Sequence, residues 1–110
     1  KEAEFSYKKA IELNPNFTDA HLNMGVMFQK LNRPNEAESS YRKAIELKPD
    51  FAEAYLKLGI LMQKLNRSNE AELNYQKALK IKPNYVDAQK NIHILFNEKS
   101  WSKPLHKTIS

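Results

Sequence analysis

The chain has 110 residues, with no cysteine, two glycines and a formal net charge of +5 at pH 7. The lack of cysteine excludes disulfides, thiol catalysis and cysteine-based metal sites; it fits a reducing compartment such as the cytoplasm without establishing one. No stretch approaches the about 18 consecutive apolar residues that indicate a membrane-spanning helix, so we expect no membrane partner.

The positive charge does not form the basic stripe of a nucleic-acid-binding protein. Glutamates open three similar segments and basic residues close them, as in the i, i+4 pairs Glu4–Lys8 and Glu38–Arg42. This order complements the helix dipole and stabilises isolated helices. Because much of the charge serves helix electrostatics, we expect no nucleic-acid partner.

Apolar stripes at helical spacing predict six helices and no strand. The clearest stripe includes Ala20, Met24 and Met27. Asn35 is the expected N-cap of the third helix, and Pro49 ends that helix because the residue before a proline avoids the α conformation. The predicted helices span about residues 2–13, 18–31, 36–47, 52–65, 70–81 and 86–98.

The chain is internally repetitive. Pro15, Pro49 and Pro83 lie 34 residues apart, and each ends a segment that contains Glu-Ala-Glu, then Tyr, then Lys-Ala. Residues 16–49 and 50–83 align without a gap and are identical at more than half of the positions. A fixed period of this length indicates stacked copies of one supersecondary unit, which usually work through their surface.

The recurring residues resemble the tetratricopeptide repeat. The first complete copy carries His21, Met24, Gly25, Phe28, Ala37, Tyr41, Ala44 and Pro49. The second carries Tyr55, Leu58, Gly59, Met62, Ala71, Tyr75, Ala78 and Pro83. The back half of an earlier copy supplies Ala3, Tyr7, Ala10 and Pro15. The resemblance covers residues 1–98 and implies an all-α fold, in which antiparallel helix pairs stack into a right-handed superhelix (an α-solenoid) of about two and a half to three repeats.

The two ends depart from the pattern. Gln89 and His93 replace the large residue and the glycine of the third copy, which predicts that helix 86–98 is a terminal cap with a polar outer face. The alternative is ordinary sequence drift, with another helix following in a longer chain. Its apolar face toward helix 70–81 should come from Ile92, Leu95 and Phe96. At the other end, helix 2–13 has no partner helix before it, so its apolar face should be partly uncovered.

Residues 99–110 lose the repeat pattern, and Pro104 argues against a helix through them. A C-terminal tail or linker is one interpretation. The alternative is that Trp101 packs back on the array or enters the groove of a neighbouring molecule.

No catalytic or metal-binding constellation is present in the sequence. His21, His93 and His106 lie in unrelated contexts, and no paired-ligand spacing occurs. No glycine-rich loop could hold phosphate, and no serine or lysine has an obvious base beside it. We therefore expect neither an enzyme nor a cofactor or metal within these residues.

In this family, the first helix of each pair lines a concave surface. The resemblance implies a peptide-binding groove in which Val26, Ile60 and Ile94 form an apolar strip. Acidic residues (Asp19, Glu53, Asp87 and Glu98) balance basic ones, so a neutral groove suited to a peptide is expected. The candidate groove residues are Asp19, Leu22, Asn23, Val26, Lys30, Glu53, Leu56, Lys57, Ile60, Lys64, Lys90, Asn91 and Ile94.

Two recognition modes of the family can be compared with these positions. A clamp for a terminal carboxylate would need Lys, Asn, Asn, Lys and Arg where this chain has Leu22, Val26, Lys57, Asp87 and Asn91. The apolar pair and Asp87 speak against that clamp. An asparagine ladder, as in the repeats of protein O-glycosyltransferases, matches at Asn23 and Asn91 but is interrupted by Lys57.

These features favour a protein–protein interaction module that binds a peptide or a helix of a partner protein. The alternative is a structural spacer or self-association element, which would form homo-oligomers through helix 2–13 or the tail around Trp101. A third hypothesis, that the array recruits substrate for an enzyme domain in a longer chain, follows only from the likeness to the glycosyltransferase repeats.

Overall fold

The computed structural model describes residues 2–102, and side chains for residues 2–98. Its six helices confirm the predicted all-α fold, and no strand occurs within residues 2–102. The helices are α1 (Glu2–Leu13), α2 (Thr18–Lys30), α3 (Pro34–Leu47), α4 (Ala52–Lys64), α5 (Ser68–Ile81) and α6 (Val86–Ser102). Within the same residues, every helix is too short or too polar to cross a lipid bilayer.

Three helix boundaries differ from the sequence-based prediction by two residues or more. Helices α3 and α5 begin two residues early, and Arg33, not Asn35, is the N-cap residue of α3. Pro34 takes the first helical position, where its fixed φ suits the helix and its missing N–H is not needed. Helix α6 continues to Ser102 instead of ending near residue 98, because Pro104 constrains only the residue directly before it. The Trp101 side chain and residues 103–110 lie outside the described residues, so the predictions for the tail remain predictions.

The turns inside the repeats share one helix-ending geometry. Asn32 and Asn66 adopt left-handed backbone angles, with φ of 63° and 62°. The N–H of Arg33 donates to the carbonyl of Phe28 at 2.8 Å, and the N–H of Asn32 donates to that of Gln29 at 3.1 Å. This is a Schellman motif, in which asparagine takes the position that most residues avoid. The motif turns the chain sharply, so that α3 returns antiparallel along α2.

Within each repeat, a glycine on the first helix faces a tyrosine on the second. The side chains of Tyr41 and Tyr75 are fully buried, and their rings occupy the space where Gly25 and Gly59 would carry a Cβ. The pairs α2–α3 and α4–α5 form the most extensive helix contacts. The recurring glycines and tyrosines are therefore packing positions of the repeat.

Neighbouring repeats are joined by an arginine in the turn before each second helix. The Arg33 guanidinium donates to Glu36 at 2.6 Å and, across the repeat boundary, to Glu4 at 3.2 Å. Arg67 is held in the equivalent way by glutamates of α5 and α3. The arrangement links α1 to α3 and α3 to α5.

The first helix of the array, α1, has an uncovered apolar face, as predicted. It contains no buried residue, and the Phe5 and Leu13 side chains are 70% and 77% exposed. Tyr7 and Ile11 are half-buried.

The last helix, α6, packs against α5 and α4. Leu95 is fully buried and Ile92 packs on the core, but Phe96 is 43% exposed, so the predicted contribution of Phe96 to this face is largely wrong. The spacing explains the difference, because one residue after Leu95 the helix surface has turned by about 100°. Gln89 and His93 are exposed, and the Gln89 amide donates to the carbonyl of Pro83 at 2.8 Å.

Candidate functional site

The curvature of the array brings its first helices together. The backbone of α2 approaches that of α4, and the backbone of α4 approaches that of α6. Within the described residues, the backbones of the second helices α1, α3 and α5 lie farther apart, although long side chains link them. An array in which one set of helices is closely spaced and the other is splayed must curve toward the closely spaced set. The candidate groove is therefore the surface of α2, α4 and α6.

A depression of about 260 Å³ lies between α2 and α4. Five predicted groove residues line it: Val26, Lys30, Lys57, Ile60 and Lys64. Its apolar lining comes from half-buried side chains, so they can contact a ligand without leaving the core. The remaining lining residues are Gln29 and Tyr41, which the sequence analysis did not place in the groove.

A second depression, of about 410 Å³, lies between α4 and α6. It shares Ile60 and Lys64 with the first, so the two are neighbours along one surface. Asn91 lines it as predicted, together with Glu98. Its unpredicted lining residues are Gln63, Asn66 and Tyr75.

Four of the five missed residues form two hydrogen-bonded pairs beside the depressions. The Tyr41 hydroxyl donates to Gln29 Oε1 at 2.8 Å, and the Tyr75 hydroxyl donates to Gln63 Oε1 at 2.7 Å. Burial raises the pKa of each tyrosine to about 12. Both tyrosines are fully buried core residues that also line the two depressions, where their hydroxyls are bonded to the glutamines. The sequence did carry a signal for the glutamines, because the same residue recurs at positions 29 and 63, one repeat apart.

Two predicted groove residues belong instead to the core. Leu22 and Leu56 are only 5% and 4% exposed and lie in the main hydrophobic cluster. The first helices approach one another closely enough to cover these positions. No ligand could contact their side chains to any useful extent without repacking, so both are removed from the candidate site.

The other predicted residues lie on the groove helices but outside both depressions. The side chains of these residues are exposed, that of Ile94 by 47%. The predicted apolar strip is therefore half-buried at Val26 and Ile60 and exposed at Ile94. The possible asparagine ladder is not continuous, since Lys57 and Asn91 line different depressions and Asn23 lines neither. The predicted residues outside the depressions are Asp19, Asn23, Glu53, Lys90 and Ile94.

Along α2 and α4, the charges of the groove are separated instead of mixed. Asp19, Glu53 and Asp87 lie in the first turns of α2, α4 and α6, whereas Lys30 and Lys64 lie in the last turns of α2 and α4. Eleven residues of helix separate Asp19 from Lys30, about 16 Å along the axis. The expectation of a neutral groove is therefore wrong locally, because parallel first helices place like charges at the same edge.

One acidic residue lies near the basic edge. Glu98 lines the second depression and accepts a hydrogen bond from Gln63 Nε2 at 3.1 Å. No carboxylate lines the first depression. Within the described residues, no group of three or more His, Cys, Asp or Glu side chains could hold a metal ion.

Comparison with known proteins identifies the repeat. Models of the tetratricopeptide repeat match residues 1–17, 18–51 and 40–72. No curated protein matches the chain.

Solved structures share the fold. The first TPR of Spaghetti (RPAP3), bound to the HSP90 peptide SRMEEVD, has a TM-score of 0.80 and 22% identity, covering 86% of this chain and 75% of that one. The first TPR domain of human RPAP3 has a TM-score of 0.81 and 22% identity, with 86% and 74% coverage. MamA has a TM-score of 0.76 and 26% identity, and the match covers 86% of this chain but only 55% of MamA. With the repeat models matching most of its length, the chain belongs to the tetratricopeptide repeat family.

Proposed function

We propose that this chain is a protein–protein interaction module that binds a peptide or helical segment of a partner along α2, α4 and α6. The observation that carries the proposal is the pair of adjoining depressions on one face, which combine half-buried Val26 and Ile60 with polar and charged side chains. Apolar pockets take side chains of a bound segment, and amide and charged groups take its backbone or its charges.

The structural likeness to RPAP3 supports this proposal at the level of the fold. The first TPR of Spaghetti (RPAP3) is bound to an HSP90 peptide in its structure, so a domain of this architecture accommodates a peptide. The details differ, because Leu22 and Val26 stand where a terminal-carboxylate clamp needs polar groups, and Leu22 is buried. We therefore place the peptide against Val26, Ile60 and the lysines that surround them.

The test is a pull-down from a lysate of the native source. The baits are the wild-type chain and the triple variant Asn23→Ala/Lys57→Glu/Asn91→Ala, which changes all three groove helices. Gln76→Ala/Lys80→Glu on α5 is the matched control, because it also removes an amide and reverses a lysine but lies outside the groove. Circular dichroism of each bait checks that it is folded.

A protein retained by the wild type and the control but lost by the triple variant supports groove binding. Equal retention by all three baits contradicts it.

One observation favours a second candidate function, self-association through α1. Phe5 and Leu13 expose large apolar side chains on a helix with no buried residue. Exposed apolar surface of this kind is often covered by another molecule. Mass measurement in solution over a wide concentration range tests it: a monomer throughout contradicts self-association, and a dimer abolished by Phe5→Glu supports it.

A further inference from the structure

The basic residues of this chain fall into two groups. Many of them are engaged within the chain. Ion pairs occupy Lys8, Lys9, Arg33, Arg42, Lys43 and Arg67. Aromatic rings lie beneath Lys48, Lys77 and Lys82.

The lysines of the first depression are not engaged. Lys30, Lys57 and Lys64 make no ion pair, hydrogen bond or ring contact within residues 2–98, although all three line the same depression. The acidic residues on the same helices lie in the first turns, at the opposite edge of the groove. Glu98 of α6 lines the neighbouring depression together with Lys64, but no carboxylate lines this one, so most of its positive charge is left uncompensated by the described residues.

Helix electrostatics explains only part of this arrangement. Lys30 and Lys64 lie in the last turns of α2 and α4, where a cation complements the helix dipole. Lys57 lies in the middle of α4 and is half-buried, so neither the dipole nor free solvation accounts for its position. Like charges around one depression repel one another, and an anion bound between them would relieve that repulsion.

We propose that this depression binds the acidic side chain of a partner peptide, between Lys30, Lys57 and Lys64, with a neighbouring apolar side chain of the peptide against Val26 and Ile60. This inference rests on the proposed function and specifies its ligand class. It requires an aspartate or glutamate within the peptide, not a chain terminus. The lysines hold the carboxylate as point charges, and the half-buried isoleucine and valine favour an apolar neighbour over a second charge.

The experiment is a selection of random linear peptides displayed on phage. The baits are the wild-type chain, Lys64→Glu and Lys80→Glu. The two variants are closely matched, because both lysines are exposed in the last turn of a helix and neither has an ion-pair partner within residues 2–98. Of these two lysines, only Lys64 lines the depression, whereas Lys80 lies on α5 outside it. Sequencing compares the frequency of Asp and Glu in each selected pool with that in the starting library.

We expect the wild-type and Lys80→Glu pools to be enriched in Asp and Glu, and the Lys64→Glu pool to lose that enrichment. A synthetic peptide from the wild-type pool should bind Lys64→Glu about tenfold more weakly, because an attraction at a partly exposed site becomes a repulsion. Its affinity for the wild type should also fall with added salt. Lys64→Gln serves as a milder second variant with a smaller loss.

The other results separate the inference from the proposed function. Enriched peptides without excess acidic residues, or the same acidic peptides on Lys64→Glu as on the wild type, overturn the inference and leave peptide binding standing. A library that yields no binder to the wild type contradicts peptide binding itself, and the inference with it.

Discussion

Glycine at residue 59 should make the folded state more stable than alanine would, although alanine is the best helix former. Gly59 lies in the interior of α4, and a Cβ added there would come within 2.6 Å of Tyr75 Cε1 and 2.7 Å of Cδ1. Contacts this short force one side to move. The Tyr75 ring is fully buried and its hydroxyl is hydrogen-bonded to Gln63, so it cannot move without breaking other contacts. Gly59→Ala should therefore push the helices α4 and α5 apart.

Three effects set the magnitude. Alanine is favoured over glycine inside a helix by about 1 kcal/mol. Overpacking of a well-filled core costs about 1–3 kcal/mol. Displacement of Tyr75 would also weaken its hydrogen bond, which contributes about 0.5–1.5 kcal/mol. Because the two costs exceed the gain, Gly59→Ala should lower the free energy of unfolding by about 1–3 kcal/mol.

Urea unfolding followed by circular dichroism measures this change, with His93 as the matched control. His93 occupies the position of Gly59 one repeat later, on α6, and its side chain is exposed. At residue 93, alanine should be more stable than glycine by about 1 kcal/mol, whereas at residue 59 glycine should be more stable than alanine. A Gly59→Ala variant as stable as the wild type, or more stable, would refute the reasoning.

Other predictions follow from the same contacts. Tyr75→Phe removes the hydroxyl that donates to Gln63 and should lower the free energy of unfolding in urea by about 0.5–1.5 kcal/mol. An unchanged unfolding midpoint would show that this hydrogen bond does not contribute to stability. Burial raises the Tyr75 pKa from 10.0 to about 12, so alkaline titration by absorbance and circular dichroism should show full stability below pH 10 and its loss as the pH rises toward 12. Partial burial raises the Glu38 pKa, but hydrogen bonds from arginines including Arg67 outweigh this and lower it below 4.5, so stability should fall as acid protonates Glu38, and less so in Arg67→Gln. Asn32→Val should cost about 1–2 kcal/mol because φ is 63°, whereas Asn32→Gly should be tolerated; similar unfolding midpoints would contradict this.

The helices were predictable because their cause is local and repeated. Apolar spacing and the 34-residue period locate all six helices, but the contact of each glycine with the tyrosine of its own helix pair was not predicted. Boundaries were harder, since Pro34 can begin a helix as readily as it can end one. Phe96 shows a similar limit, because its partial exposure depends on how α6 is rotated against its neighbours.

The groove was only partly predictable because it depends on how repeats approach one another. Leu22 and Leu56 were assigned to the groove by position in the repeat, but the close spacing of first helices buries them. The charge separation was missed because the prediction compared only the numbers of acidic and basic residues. In parallel helices, residues of the first turns lie at one edge of the groove and residues of the last turns lie at the other. Tyr41 is a core residue that also lines the first depression, where its hydroxyl donates to Gln29, and the repeat pattern assigns it only to the core.

Groove positions differ in how strongly they are tied to the fold, and this determines which substitutions can report on binding. Gln63 accepts a hydrogen bond from the buried Tyr75 and donates one to Glu98, so its orientation is fixed by the core. Changing Gln63 should alter stability and ligand binding together. Lys57 and Lys64 have no such bonds within residues 2–98, so their substitution should alter binding with little effect on the unfolding midpoint. A loss of binding at Lys64 without a loss of stability would therefore arise from the groove, whereas the same loss at Gln63 would not distinguish a binding role from a structural one.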